Sequence, residues 1–278
     1  MEKILKNSFF TLGHPFCAGF DPSIVDLHSF LLAQLNRNSA ENFLQLWFDS
    51  VLSSVGSLTT SIKLQSAFFE AFGVDGLTAL KYCIATAKKQ GFFVILDAKR
   101  GDIATTMAAY GRSAFDVYGA DALTILPWMG LDVLKSLSPW LDSGKGVYTV
   151  WLSSNASGRE LQETKLESGI THSRRMFDIW EDWIQAQNYQ LQCGYVLGAT
   201  DVPKWAVSAL SSRSHTLLMP GIGAQGGTLN PELKALVSTH QGTLLPISRS
   251  LTNVEKSINI ANWTDYSLQV KSQFRKHV

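Results

Sequence analysis

The stretch that decides the fold covers residues 92–102 and reads Phe-Phe-Val-Ile-Leu-Asp-Ala-Lys-Arg-Gly-Asp. Its apolar run is continuous instead of alternating, which is typical of a strand that is covered on both faces in a parallel sheet. Asp97 and Lys99 are two residues apart, so on an extended segment their side chains point the same way. If Leu96 and Ala98 face helices, we expect Asp97 and Lys99 to face the opposite side of the sheet. Both residues lie at the carboxyl end of the strand.

Similar apolar runs recur along the whole chain and alternate with helical patterns. About eight strand–helix units in this length predict a TIM (β/α)₈ barrel of the α/β class, formed as one domain over residues 1–278. A doubly wound open sheet is the alternative architecture. The predicted strands cover residues 16–20, 61–64, 92–96, 122–126, 147–152, 194–197, 216–219 and 243–247. The predicted helices cover residues 40–55, 78–89, 102–118, 131–137, 173–187, 202–210, 231–237 and 254–274, with a polar surface connection at 159–171.

Composition narrows the class of protein. The 278 residues include 24 Lys and Arg against 23 Asp and Glu, and a net charge of +1 argues against a nucleic-acid partner. No apolar run reaches the roughly 18 residues that a membrane span needs. Cys17, Cys83 and Cys193 are far apart and odd in number, and the six histidines are scattered, so we expect no metal site and a cytoplasmic, reducing compartment. Only 17% of residues are charged, against about 25% typically, which suggests a subunit partner.

Charged residues follow three consecutive strands. Asp21 ends the first apolar run, Lys63 lies near the end of the second, and Asp97 and Lys99 end the third. Catalytic residues of such barrels lie at the carboxyl ends of the strands. When lysine and aspartate side chains alternate, each charge has a partner of opposite sign, and the lysines stay protonated. Such an arrangement is a preformed electrostatic array. Two simpler interpretations remain open: Asp97 and Lys99 form a structural ion pair, and Asp102 is a helix N-cap.

A glycine-rich segment follows the seventh predicted strand. Residues 220–227 read Pro-Gly-Ile-Gly-Ala-Gln-Gly-Gly and fit a dinucleotide-binding fingerprint, but that site needs an acidic residue about 20 positions later. Residues 243–248 contain no acid. A loop whose backbone amides approach a phosphate is therefore favoured over a dinucleotide site or a turn without a ligand. Arg249, just after the eighth run, can bind phosphate oxygens bidentately.

Taken together, these motifs resemble the orotidine 5'-phosphate decarboxylase family. The Asp-x-Lys-x-x-Asp pattern alone is shared with related sugar-phosphate barrels, whereas the full set is more specific. Residues 63–70 and 153–155 resemble the type 2 branch of the family more closely than its shorter bacterial branch. The matching motifs run in the family's order and are Asp21, Lys63, Asp97-x-Lys99-x-x-Asp102, residues 220–227 and Ser248-Arg249.

The resemblance implies decarboxylation of orotidine 5'-monophosphate to UMP and CO₂, the last step of de novo pyrimidine nucleotide synthesis, without metal or cofactor. It also implies a homodimer in which Asp102, Ile103 and Thr106 act across the interface. The implied catalytic tetrad is Lys63, Asp97, Lys99 and Asp102, with Lys99 protonating C6. The implied substrate-binding residues are Asp21 beside the ribose with Lys63, Ser154 at the pyrimidine amide edge, Gln225 and Arg249 at the phosphate with the backbone amide of Ser248, and Pro220, Ile103 and Thr106.

Two other functions remain open from the sequence. A sugar-phosphate lyase or synthase on the same barrel would share the Asp-x-Lys-x-x-Asp pattern but would use Mg²⁺. A non-catalytic barrel that senses UMP would bind the nucleotide without consuming substrate. The intact tetrad argues against a sensor, because a sensor has no need of an ammonium group beside C6.

Overall fold

A computed structural model describes residues 12–25, 27–199, 202–211, 213, 215–221, 230–240, 242–248 and 252–277. Eight parallel strands form one sheet in the order β7-β6-β5-β4-β3-β2-β1-β8, and a parallel bridge between Leu218 and Leu244 joins its two edges. The predicted barrel is confirmed, and the open-sheet alternative is wrong. The strands are β1 Phe16–Phe20, β2 Ser61–Gln65, β3 Phe93–Arg100, β4 Ala122–Ile125, β5 Gly146–Leu152, β6 Cys193–Leu197, β7 Leu217–Leu218 and β8 Leu245–Ile247.

Helices follow the strands and surround the barrel. Among the described residues, no helix is both long and apolar enough to cross a membrane. The helices are α1 Ser29–Arg37, α2 Ala40–Val55, α3 Ser66–Glu70, α4 Gly73–Lys89, α5 Ala104–Arg112, α6 Asp132–Lys135, α7 Ser138–Asp142, α8 Ala156–Gln162, α9 His172–Gln187, α10 Lys204–Ser211, α11 Pro231–Thr239 and α12 Trp263–Arg275, with a π-helix at Ser113–Val117 directly after α5.

Three predicted segments differ from the structure in a way that has a clear local cause, besides shifts of a few residues at other boundaries. The helix predicted at 102–118 begins only at Ala104, and its second half is the π-helix. The helix predicted at 254–274 begins at Trp263, because the Asn262 side chain caps it by accepting the N–H of Asp265. The predicted surface connection at 159–171 is helical in its first part, where α8 runs to Gln162.

The strand periodicity separates two apolar layers. Residues such as Ala18, Val94 and Leu96 point outward and pack against the helices in the larger core cluster. Their neighbours Phe93 and Ile95 point into the barrel and belong to a second cluster. The members of this inner cluster are Cys17, Phe93, Ile95, Ala122, Tyr148, Val196, Leu218 and Leu244. This inner cluster fills the barrel below the carboxyl ends of the strands. Inward-facing side chains nearer to those ends therefore lie directly above an apolar layer.

Helix α2 shows how the outer layer is built. The hydroxyl of Ser39 accepts the N–H of Asn42 and so starts the helix. Phe43, Trp47 and Val51 recur at intervals of four residues, and all three are buried. The indole of Trp47 also donates a hydrogen bond of 3.1 Å to the hydroxyl of Tyr266 on α12. The C-terminal helix is thereby fixed against α2.

Candidate active site

A row of alternating charges crosses the carboxyl ends of β1, β2 and β3. The ammonium of Lys63 lies 3.4 Å from Oδ1 of Asp21 and 3.0 Å from Oδ2 of Asp97. The ammonium of Lys99 lies 2.6 Å from Oδ1 of Asp97. Lys63 and Asp97 are buried, whereas the side chain of Lys99 is 44% exposed. Four sequence-predicted residues therefore come together, and Lys99 is the member that a ligand at the barrel mouth can reach.

Each charged side chain in the row pairs with a neighbour of opposite charge. Burial alone would lower the pKa of Lys63, but the carboxylates of Asp21 and Asp97 outweigh burial and raise the pKa above its ordinary value. Burial alone would raise the pKa of Asp97, but the ammonium groups of Lys63 and Lys99 lower it to about 2. Asp97 and Lys63 are therefore both ionised at neutral pH. The site presents fixed charges without reorganisation, which is the usual means of stabilising charge that develops in a reaction.

The end of β3 is not a regular strand. Its register with β4 shifts between Leu96 and Arg100, and Lys99 has a φ of 47°. The extended backbone predicted for residues 97–99 is therefore wrong at Lys99. A non-glycine residue at positive φ costs about 1–2 kcal/mol, and such strain is found where the surrounding structure holds a functional geometry. Despite this turn, the Lys99 ammonium reaches the Asp97 carboxylate.

Asp102, Ile103 and Thr106 lie apart from this row. None of the ion pairs between described residues includes Asp102, whose Oδ1 accepts the N–H of Ile103 at 2.8 Å. Helix α5 begins at Ala104 with Ile103 as a cap that makes no side-chain bond, so the N-cap interpretation of Asp102 is wrong. Ile103 is 52% exposed, and Thr106 is also exposed. Within one chain, the fourth member of the predicted tetrad does not join the other three.

Ser154 lies at the same end of the barrel, after β5. A Cβ on Gly198 would come within 2.7 Å of the Ser154 backbone nitrogen, so only glycine at the end of β6 allows this close approach. The side chain of Gln162 accepts the N–H of Ser153 at 3.1 Å and fixes the loop from the other side. The loop that carries Ser154 is thus held between β6 and α8.

The predicted phosphate residues are described only in part. Pro220 follows β7, and its carbonyl accepts the N–H of Ala199 at 2.9 Å. Ser248 follows β8 so close to β1 that a Cβ on Gly19 would lie 1.9 Å from its hydroxyl oxygen. Both residues lie at the same rim of the barrel as the charged row, because the carboxyl ends of parallel strands all lie at one end of a barrel. The other two predicted residues, Gln225 and Arg249, lie outside the described residues.

Two side chains that contact Asp97 were not predicted from the sequence. Thr124 donates to Oδ1 at 2.9 Å, and Gln65 donates to Oδ2 at 3.1 Å. Strand alternation could have found both, because Gln65 is two residues after Lys63 and Thr124 is two residues after the inward-facing Ala122. Neither side chain is charged, so the pattern of charged residues at the strand ends did not include them.

A closed parallel barrel with buried, paired charges at the carboxyl ends of its strands defines a (β/α)₈-barrel enzyme. In the part of the chain that the structure describes, no group of three or more His, Cys, Asp or Glu side chains is arranged to hold a metal ion. Residues 35–257 match the orotidine 5'-phosphate decarboxylase / HUMPS family, and the chain belongs to this family.

Individual relatives agree with this assignment over most of the chain. An orotidine 5'-phosphate decarboxylase of Phocaeicola vulgatus is 30% identical, over 99% of this chain and 96% of the relative. The Myxococcus xanthus protein of the same name is 34% identical, over 84% of this chain and 81% of the relative. The solved structure of Leishmania donovani OMP decarboxylase is similar with a TM-score of 0.67 and 27% identity, covering 97% of this chain and 98% of that one.

Proposed function

We propose that this chain converts orotidine 5'-monophosphate to UMP and CO₂, the last step of de novo pyrimidine nucleotide synthesis, and that it does so without metal or cofactor. One observation carries the proposal: the buried carboxylate of Asp97 lies between two ammonium groups, and that of Lys99 opens to the barrel mouth. Membership of the decarboxylase family supports the same reaction. In this proposal residues 1–278 form one barrel domain.

Lys99 carries the chemical step. When the C6–CO₂ bond breaks, its electron pair remains on C6 in the plane of the ring, where the π system cannot delocalise it. The Lys99 ammonium stabilises this carbanion and then transfers a proton to C6, which leaves UMP and a neutral amine that regains a proton from solvent. The hydrogen bond of 2.6 Å to Asp97 keeps the ammonium oriented before the reaction.

Asp97 acts on the substrate before decarboxylation. Its pKa of about 2 keeps it anionic, and in the proposed complex it lies near the substrate carboxylate. Repulsion between the two anions disfavours the bound substrate and is relieved as CO₂ leaves. Lys63 fixes the Asp97 carboxylate from the other side and, with Asp21, contacts the ribose. Each of these charged side chains therefore both orients its neighbours and acts on the bound nucleotide.

Binding energy from the remote groups supplements these charges. Enzymes lower barriers by roughly 8–23 kcal/mol, more than one ammonium group supplies. Contacts to the phosphate use energy far from the reacting carbon to close the site and orient the base. In the proposed complex Ser154 contacts the pyrimidine amide edge, and the phosphate is held by Gln225, Arg249 and the backbone amide of Ser248, beside Pro220.

We also propose a homodimer in which Asp102, Ile103 and Thr106 complete the site of the partner subunit. The exposure of Ile103 and Thr106, and the position of Asp102 outside the charged row, support this role. Mixing inactive Lys99→Ala and Asp102→Ala chains tests it, because a mixed dimer then contains one intact site. We expect roughly a quarter of wild-type turnover after random exchange of subunits. No recovery after verified exchange would place Asp102 in the site of its own chain.

The ultraviolet absorbance of orotidine 5'-monophosphate, followed with and without excess EDTA, tests the reaction. We expect conversion to UMP at equal rates in both samples. Activity that EDTA removes and Mg²⁺ restores would favour the sugar-phosphate class instead. Tight UMP binding without any turnover would identify a nucleotide sensor and overturn the proposal.

A further inference from the structure

The single hydroxyl of Thr124 joins the two groups that orient the candidate proton donor. This hydroxyl is buried on β4 and accepts the backbone N–H of Lys99 at 2.9 Å. It donates its proton to Oδ1 of Asp97, also at 2.9 Å. We infer that Thr124 is a positioning residue for the decarboxylation, which holds both the backbone of Lys99 and the carboxylate that pairs with its ammonium. The inference rests on the proposed function.

The direction of both hydrogen bonds follows from the chemistry of the groups. A backbone N–H can only donate, and an ionised carboxylate can only accept. The hydroxyl must therefore offer a lone pair to Lys99 and its only proton to Asp97. Valine, which has the same shape without the hydroxyl, removes both bonds at once.

The bulge at the end of β3 shows why the backbone of Lys99 needs this partner. Leu96 pairs with Leu123 and Arg100 pairs with Ile125, so residues 97–99 lie opposite Thr124 alone. The irregular ladder leaves the Lys99 N–H to the threonine side chain instead of a strand carbonyl. Lys99 also has a φ of 47°, which a lysine adopts only when its surroundings hold it there.

The carboxylate of Asp97 is fixed by four donors. Lys99 and Thr124 donate to Oδ1, and Lys63 and Gln65 lie against Oδ2 at 3.0 and 3.1 Å. Two carboxylate oxygens offer about four acceptor sites, so every site is used. Without the Thr124 hydroxyl, Oδ1 keeps only the flexible Lys99 side chain, while Lys63 and Gln65 on β2 still hold Oδ2.

Steady-state kinetics of three variants test the inference. For Thr124→Val we expect kcat to fall about 10- to 100-fold with KM changed less than about threefold, because a misplacement near 1 Å acts on the chemical step. Thr124→Ser keeps the hydroxyl and should recover kcat to within about threefold of the wild type. Thr243→Val is the matched control: it is buried before β8, and its hydroxyl has no hydrogen-bond partner among the described residues.

Every outcome bears on the inference. Wild-type kcat in Thr124→Val, or an equal fall in Thr124→Val and Thr243→Val, would overturn it. A change confined to KM would assign Thr124 to substrate binding instead and would also overturn it. If Thr124→Val does not fold, Thr124→Ala takes its place; failure of both to fold, while Thr124→Ser folds, would make the hydroxyl structural only. Absence of turnover in the wild type would contradict the proposed function and not this inference specifically.

Discussion

Replacing Asp97 by asparagine should destabilise the folded protein, because Asp97 holds two lysines at the barrel rim. The pKa of Asp97 is about 2 in the folded protein against an ordinary value of 3.8. At roughly 1.4 kcal/mol per pKa unit, this difference corresponds to about 2 kcal/mol of stability at neutral pH. The asparagine amide also places a donor between two ammonium groups. We therefore expect Asp97→Asn to lower the free energy of unfolding by about 2–4 kcal/mol.

Urea unfolding at pH 7 measures this change as a lower midpoint with an unchanged slope. Asp178→Asn is the control, because it removes an ion pair to Arg174 whose two side chains are 40% and 34% exposed. Such an exposed pair contributes about 1 kcal/mol or less. An Asp97→Asn protein as stable as the wild type, or no less stable than the control, would refute the electrostatic account of the row.

The same pKa fixes the pH dependence of the effect. The folded pKa of Asp97 is lower than its unfolded value, so its contribution is fully present above about pH 4. It is lost as the pH falls from about 4 to 2, where the folded-state carboxylate takes up its proton. The stability difference between wild type and Asp97→Asn should therefore stay constant from pH 7 to pH 5 and decrease below pH 4. A difference that disappears by pH 5 would contradict the assigned pKa.

Three further predictions concern other parts of the barrel. Gly198→Ala places a Cβ 2.7 Å from the Ser154 nitrogen, so the backbone must shift, and we expect both a kcat/KM about 10-fold lower and a lower melting temperature, as kinetics and thermal unfolding will show. Glu181→Gln should lower the free energy of unfolding by about 3–5 kcal/mol in urea titrations, because it leaves the guanidinium of Arg213 without its buried carboxylate. Arg249→Ala should lower kcat/KM strongly for the nucleotide but hardly for the phosphate-free nucleoside; equal losses would contradict a phosphate role.

Much of the fold could be predicted because the positions of strands and helices along the chain depend on local patterns of apolar residues. Continuous apolar runs such as 92–96 marked the strands, and regular alternation with helices left the closed barrel as the main architecture. Errors arose where apolar spacing continued through irregular backbone. Val254 and Ile258 are four residues apart and pack against the core from a non-helical segment, so their spacing extended the last predicted helix by about two turns.

The candidate site could be predicted where it depends on charge and strand position. Asp21, Lys63 and Asp97 fell at the ends of neighbouring strands, and parallel pairing brings those ends together. The positive φ of Lys99 could not be predicted, because it results from the register shift against β4. The role expected for Asp102 came from the family resemblance, because local sequence patterns do not describe contacts between two chains.

Turnover of orotidine 5'-monophosphate by Lys99→Ala, compared with the wild type, shows whether the Lys99 ammonium carries the chemical step. Lys63 still pairs with Asp97 after the Lys99 side chain is removed, so the variant should remain folded and lose only about 1 kcal/mol of stability. We expect the variant to bind UMP and to lose turnover by at least about a thousandfold, because, among the described residues of the charged row, only Lys99 presents an ammonium group at the barrel mouth. A folded Lys99→Ala protein with near wild-type turnover would contradict the claim that this ammonium drives the reaction.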